Sequence, residues 1–144
     1  MTQQSPMYFL VRRRPVKLLP GAAGRPTMWW LDLITGSWVE EPDLVRRLAD
    51  ADDVDEPEPL TPDQFVDVVE AIRTRLTGEG DVYALYETAA AIYAMAEVEQ
   101  RRLTADEMAV LRGLRRQTYR MFEEELARQG NPAAQPDLVP PTSR

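Results

Sequence analysis

Apolar positions follow two different periods along this chain, and the change of period falls between residues 40 and 60. Up to residue 40 they come in short dense runs broken by proline and glycine, as strands do. Residues 7–13 are rich in aromatic and branched side chains and end at Arg14-Pro15, where proline stops ladder pairing. Residues 16–19 form a candidate return strand ahead of a Pro/Gly loop at 20–26. Residues 28–34 make the strongest strand, followed by Thr35-Gly36 and a last segment at Trp38, with Gly36 supplying the positive φ of a tight turn. The pattern predicts an antiparallel hairpin or meander over about 7–39, too small to stand without a helix on one face.

Beyond residue 60 the apolar residues recur at three- and four-residue intervals. Thr61 as N-cap, Pro62 at N1 and Gln64 at N3 open a helix expected over 62–77, with Phe65, Val68, Val69, Ile72 and Leu76 on one stripe. Asp81 opens a second helix expected over 81–102. Thr104 and Glu107 repeat the capping pattern ahead of a third over 104–129, closed by Gly130-Asn131-Pro132. The short connection at Leu103-Thr104 makes the last two an antiparallel αα-hairpin. The middle helix is apolar on almost every side, which predicts burial against several neighbours at once.

Two stretches carry weaker signals. Pro42 with Leu44, Val45 and Leu48 predicts a short helix at 42–49, and residues 50–59, with six acids and two prolines, read as an exposed acidic linker. Residues 131–144 hold four prolines and are expected to form a disordered tail, with 136–141 resembling a short linear peptide. The expected fold is therefore α+β: one domain over residues 1–130, with a small N-terminal antiparallel sheet packed on a helical layer.

Composition then narrows the function. The 144 residues include no histidine and no cysteine, which removes the side chains most often used for acid–base work, nucleophilic attack and transition-metal binding. A non-catalytic protein with no cofactor and no metal is expected. No basic-then-apolar leader opens the chain, and no apolar run is long enough for a bilayer, so a cytoplasmic location is expected. The net charge of −7 is uneven: residues 1–38 carry five basic groups against Asp32 alone, while residues 39–63 carry ten acids against Arg46 and Arg47.

Each charged constellation has an ordinary explanation. The run from Asp50 to Glu56 fails as a calcium loop, because Val54 and Asp55 stand where an oxygen ligand and a glycine are needed. Asp63, Asp67 and Glu70 share a helix face, as carboxylates of metal hydrolases do, but that face lies opposite the apolar stripe, where solvent belongs. A carboxylate-metal enzyme is the third reading. Arg115 falls within the apolar arc of its helix, where it either snorkels at the edge or, if buried, needs an opposite charge, with Glu87 and Glu97 at the nearest levels.

The strands carry the best functional hint. Trp29, Leu31 and Leu33 alternate with Met28, Trp30 and Ile34, so both faces of that strand are apolar. Either both faces are covered, the second by the short helix and an irregular loop, or the Trp30 face is open and is a candidate interface. Trp30, Met28, Arg12, Arg14 and Trp38 are the candidate interface residues, since tryptophan and arginine dominate interface energetics. The leading expectation is a protein-binding or assembly module whose partner is another protein chain, a second copy or a different species. The alternative is contact with single-stranded nucleic acid through Arg12, Arg13, Arg14 and Lys17 beside the aromatics, against which the negative net charge weighs.

Overall fold

Among the described residues five strands lie in the order β4-β3-β2-β1-β5, every neighbouring pair antiparallel. The strands are β1 (Met7–Val11), β2 (Arg14–Leu19), β3 (Thr27–Leu31), β4 (Trp38–Glu40) and β5 (Glu58–Leu60). Among the described residues three helices follow, α1 (Pro62–Arg73), α2 (Asp81–Val98) and α3 (Ala105–Arg128), with a 3₁₀ turn at Pro136–Leu138. This architecture comes from a computed structural model that describes residues 5–21, 24–42 and 57–139. The expected short helix at 42–49 and most of the acidic linker lie outside the described residues. Where the linker was expected to end, Glu58–Leu60 instead pairs with β1 as an edge strand. Its proline and its three-residue length blunt that edge against pairing with another chain.

The turns show how the sequence sets the sheet. β1 and β2 are joined by two residues, Arg12 and Arg13, both at positive φ (51° and 66°). That is the twist a two-residue hairpin demands, normally met by Asn-Gly. Between β3 and β4 the chain turns from Asp32 to Ser37, and the Asp32 carboxylate accepts from the backbone N–H groups of Ile34 and Thr35. Gly36 sits at φ 76°, and a Cβ there would approach Leu76 Cδ1 to 2.8 Å and Phe122 Cζ to 2.9 Å. Only glycine meets both demands.

Both expected capping boxes are present, at Thr61/Gln64 and Thr104/Glu107. The helices end earlier than the periodicity implied. After Arg73 the chain tightens into three-residue bonds, Arg75 N–H to Ile72 O and Leu76 N–H to Arg73 O. α2 stops at Val98, where Gln100 takes the left-handed conformation (φ 52°) and Arg101 N–H reaches back to Ala96 O. This is a Schellman closure built on glutamine, with no glycine to mark it in the sequence.

The helices cover one face of the sheet. Tyr8, Trp29, Leu31 and Trp38 pack with Phe65, Val66, Val69, Tyr86, Tyr119, Phe122 and Leu126 in one core. Phe65 stacks on Trp38 with ring centroids 5.6 Å apart and tilts against Tyr8 at 4.6 Å. Residues 131–139 join this core rather than forming part of a disordered tail: Ala133 is fully buried and Val139 nearly so. What the proline count concealed is side-chain donation to backbone carbonyls, since Asn131 Nδ2 donates to Trp38 O and Arg120 donates to Val139 O. Among the described residues no helix is long and apolar enough to cross a membrane.

Candidate interaction face and the buried ion cluster behind it

The outward face of the sheet follows from strand register. Pro59, Phe9, Val16, Trp30 and Val39 are direct cross-strand partners and form one apolar row spanning all five strands. Met7, Leu18 and Met28 form a second row beside it. Val16 and Met28 are buried, and among the described residues Val11, Leu18 and Trp30 pack against them. Met7 (50% exposed) and Val39 (41%) open to solvent at the margins. Near one end, Met7, Leu18, Leu19, Pro20 and Pro26 line a shallow hollow of about 290 Å³.

The expected interface residues divide between the faces. Trp30 and Met28 lie on the outward face, and Arg14 lays its guanidinium over the Trp30 ring, 3.9 Å from the centroid, while its Nε donates to Leu31 O. Arg12 stands exposed at the hairpin tip beside Arg13. Trp38 does not belong to this set. It is the direct partner of Leu31, faces the helices and is 3% exposed, so it is a core residue.

Behind Trp38 lies a cluster that strand and helix periodicity did not reveal. Lys17 on β2, Glu70 and Arg73 on α1 and Glu123 on α3 are all fully buried. Arg73 is the hub. Its Nε and one terminal nitrogen donate to Gly36 O at 3.0 and 2.8 Å, and its two terminal nitrogens reach Glu70 Oε2 at 2.9 Å and Glu123 Oε2 at 2.6 Å. Glu70 Oε1 also accepts from Tyr86 Oη (2.8 Å) and Thr118 Oγ1 (2.7 Å). Glu123 further accepts from Trp38 Nε1 (2.9 Å) and the Gln135 backbone N–H (2.8 Å). Lys17 Nζ donates to Ala133 O (2.5 Å) and Gln135 Oε1 (2.9 Å), stands 3.9 Å from Glu123 and lies over the Trp38 ring.

Two basic side chains face two carboxylates, and nearly every polar atom is satisfied, the condition under which buried polar and charged groups are tolerated. Among the described residues, Tyr119 Oη is the buried side-chain polar atom left without a hydrogen-bond partner. The two carboxylates titrate in opposite directions. Burial raises Glu70 despite Arg73, Thr118 and Tyr86, whereas for Glu123 the burial penalty is outweighed by Arg73 and Lys17, which hold it below the usual glutamate value. Burial lowers Lys17 to about 7, against the attraction of Glu123 and with the repulsion of Arg73. With no exposure at any of the four side chains, what the cluster does is tie sheet, helices and C-terminal segment together.

Other expected sites are reassigned. Glu70 was placed with Asp63 and Asp67 on a solvent face, yet it points inward, because α3 packs alongside α1 and buries its flank. Arg115 pairs with Asp67 (3.9 Å) and Tyr93 Oη rather than with Glu87 or Glu97. A cleft of about 490 Å³ between the Thr35–Ser37 turn, the start of α2 and the end of α3 carries Glu79, Asp81, Glu124 and Glu125. Glu124 and Glu125 are already paired with Arg120 and Arg128. Among the described residues no group of three or more potential metal ligands is assembled.

No protein-family model, no curated protein and no solved structure matches this chain.

Proposed function

We propose that the chain is a cytoplasmic, non-catalytic assembly module that binds another protein chain through the outward face of its sheet. The observation that carries this reading is the Pro59–Phe9–Val16–Trp30–Val39 row, apolar across five strands on the face opposite the helices. Within it and the row beside it Val16 and Met28 are buried, Phe9, Leu18 and Trp30 are partly exposed, and Met7 and Val39 open to solvent, so the exposed apolar surface lies at Trp30 and the margins. Trp30 is its natural anchor, a large partly exposed aromatic held in place by Arg14. Arg12, Arg13 and Arg14 at one end favour a partner whose apolar anchors are flanked by carboxylates.

Backbone strain supports the same end of the face. Arg12 and Arg13 hold left-handed conformations that glycine or asparagine would adopt more cheaply, and such strain concentrates where side chains are needed for contact.

The test compares proteins retained by the immobilised chain with those retained by Trp30→Ala and Val39→Asp, after nuclease treatment. A stoichiometric protein held by the parent and lost from both variants supports the proposal. Retention that is identical across all three overturns it. Retention that disappears with nuclease moves the reading to nucleic acid.

A further inference from the structure

α2 contradicts its own composition. A helix apolar on nearly all sides belongs in an interior, yet of its 18 residues only Tyr86, Ala89 and Ala96 are buried. The side turned away from the core carries Ala84, Thr88, Ala91, Met95 and Val98, all exposed, with Met95 at 57% and Val98 at 82%. Their spacing alternates four and three residues over two heptads, the seam of a helix packed on another helix. Alanine at its middle lets a second backbone come close.

We propose that this seam is a homodimer interface in which α2 packs antiparallel on α2 of a second copy, about a two-fold axis near Ala91. The pattern is self-complementary under that operation: Ala84 reaches the level of Val98 of the second copy, and Thr88 that of its Met95. Charge sets the direction. Asp81 in the first turn and Arg102 just past the last are both exposed, and neither makes an ion pair within the described chain. Antiparallel packing brings each Asp81 to the other copy's Arg102, whereas parallel packing would set like against like at both ends. Opposed helix dipoles favour the same direction. A helix of this length presents a seam about 27 Å long. That is a small interface, so the dimer is weak.

The surface is separate from the outward sheet face, so either proposal can fail without the other. Sedimentation equilibrium over about 1–200 µM gives the association constant. Met95→Glu, at an exposed position, is expected to leave the far-ultraviolet circular dichroism unchanged and to weaken association at least ~30-fold. The absence of native cysteine allows the register to be read by oxidation. Ala91→Cys is expected to form a disulfide with itself. Ala84→Cys is expected to cross-link not with itself but with Val98→Cys in a mixture. A monomer at every concentration, a dimer indifferent to Met95→Glu, or self-linking of Ala84→Cys would each overturn the proposal.

Discussion

Arg73 on α1 and Glu123 on α3 share a hydrogen bond of 2.6 Å where neither side chain has any exposure. The guanidinium fork reaches Glu70 on its own helix, Gly36 O in the β3–β4 turn and Glu123 across the core, so a single side chain joins three parts of the fold. Removing it leaves two buried carboxylates with Lys17 alone. Arg73→Met is expected to cost about 3–5 kcal/mol, read by urea unfolding, and adding Glu123→Gln should recover part of that loss. Arg73→Lys should not rescue, because an ammonium cannot reproduce the fork. A loss from Arg73→Met below about 1 kcal/mol would remove Arg73 from this role.

Lys17 gives the cluster a pH signature. Its folded value, about 7, lies below the ordinary lysine value of 10.5 because of burial. Between those values only the unfolded chain holds the extra proton, so stability contributed through Lys17 rises with pH across that window and is least below pH 7. The buried tyrosines Tyr8, Tyr86 and Tyr119 are shifted upward by burial and oppose this only near and above pH 10. Unfolding free energies measured from pH 6.5 to 9.5 should therefore climb more steeply in the parent than in Lys17→Met. Equal slopes would contradict the assignment.

The C-terminal segment is part of the core, and its removal should show it. Ending the chain at Gly130 deletes Ala133 and Val139 from the core and takes both close acceptors from Lys17. The expected loss is at least about 3 kcal/mol. The same truncation made on Lys17→Met should cost less, since the ammonium it would orphan is gone. Strict additivity would mean the two do not interact.

The hairpin tip offers a separation of stability from binding. Arg13→Gly relieves a left-handed residue and should stabilise the domain by about 1 kcal/mol, read as a rise in Tm, while weakening the partner held at the arginine end. A gain in stability with unchanged affinity would exclude Arg13 from the interface.

How much of this was legible depended on whether a signal was local. The capping boxes at Thr61 and Thr104 are written in four consecutive residues and appear in the structure. The alternation around Trp29 and Trp30 divides the faces as read, with Trp29 and Leu31 to the helices and Met28 and Trp30 outward. The ion cluster was not legible, because Lys17, Glu70, Arg73 and Glu123 each look like a surface charge on its own element. Their pairing depends on α3 covering a flank of α1 that a single-helix pattern assigns to solvent. Trp38 was misplaced for a related reason: the sheet register that turns it inward is fixed by the Asp32–Ser37 turn, not by its neighbours in sequence. In the opposite sense, α2 looked like a core helix and proved to have an open side.

Whether Trp30 is an interface anchor or a core residue is decided by the unfolding free energy of Trp30→Ala set beside its affinity for the captured partner. An interface tryptophan should lose about 2 kcal/mol or more of binding, roughly a 30-fold weaker Kd, while the domain stays folded with a similar urea midpoint. A steep loss of stability with association unchanged would make Trp30 a core residue and rule out binding through this face.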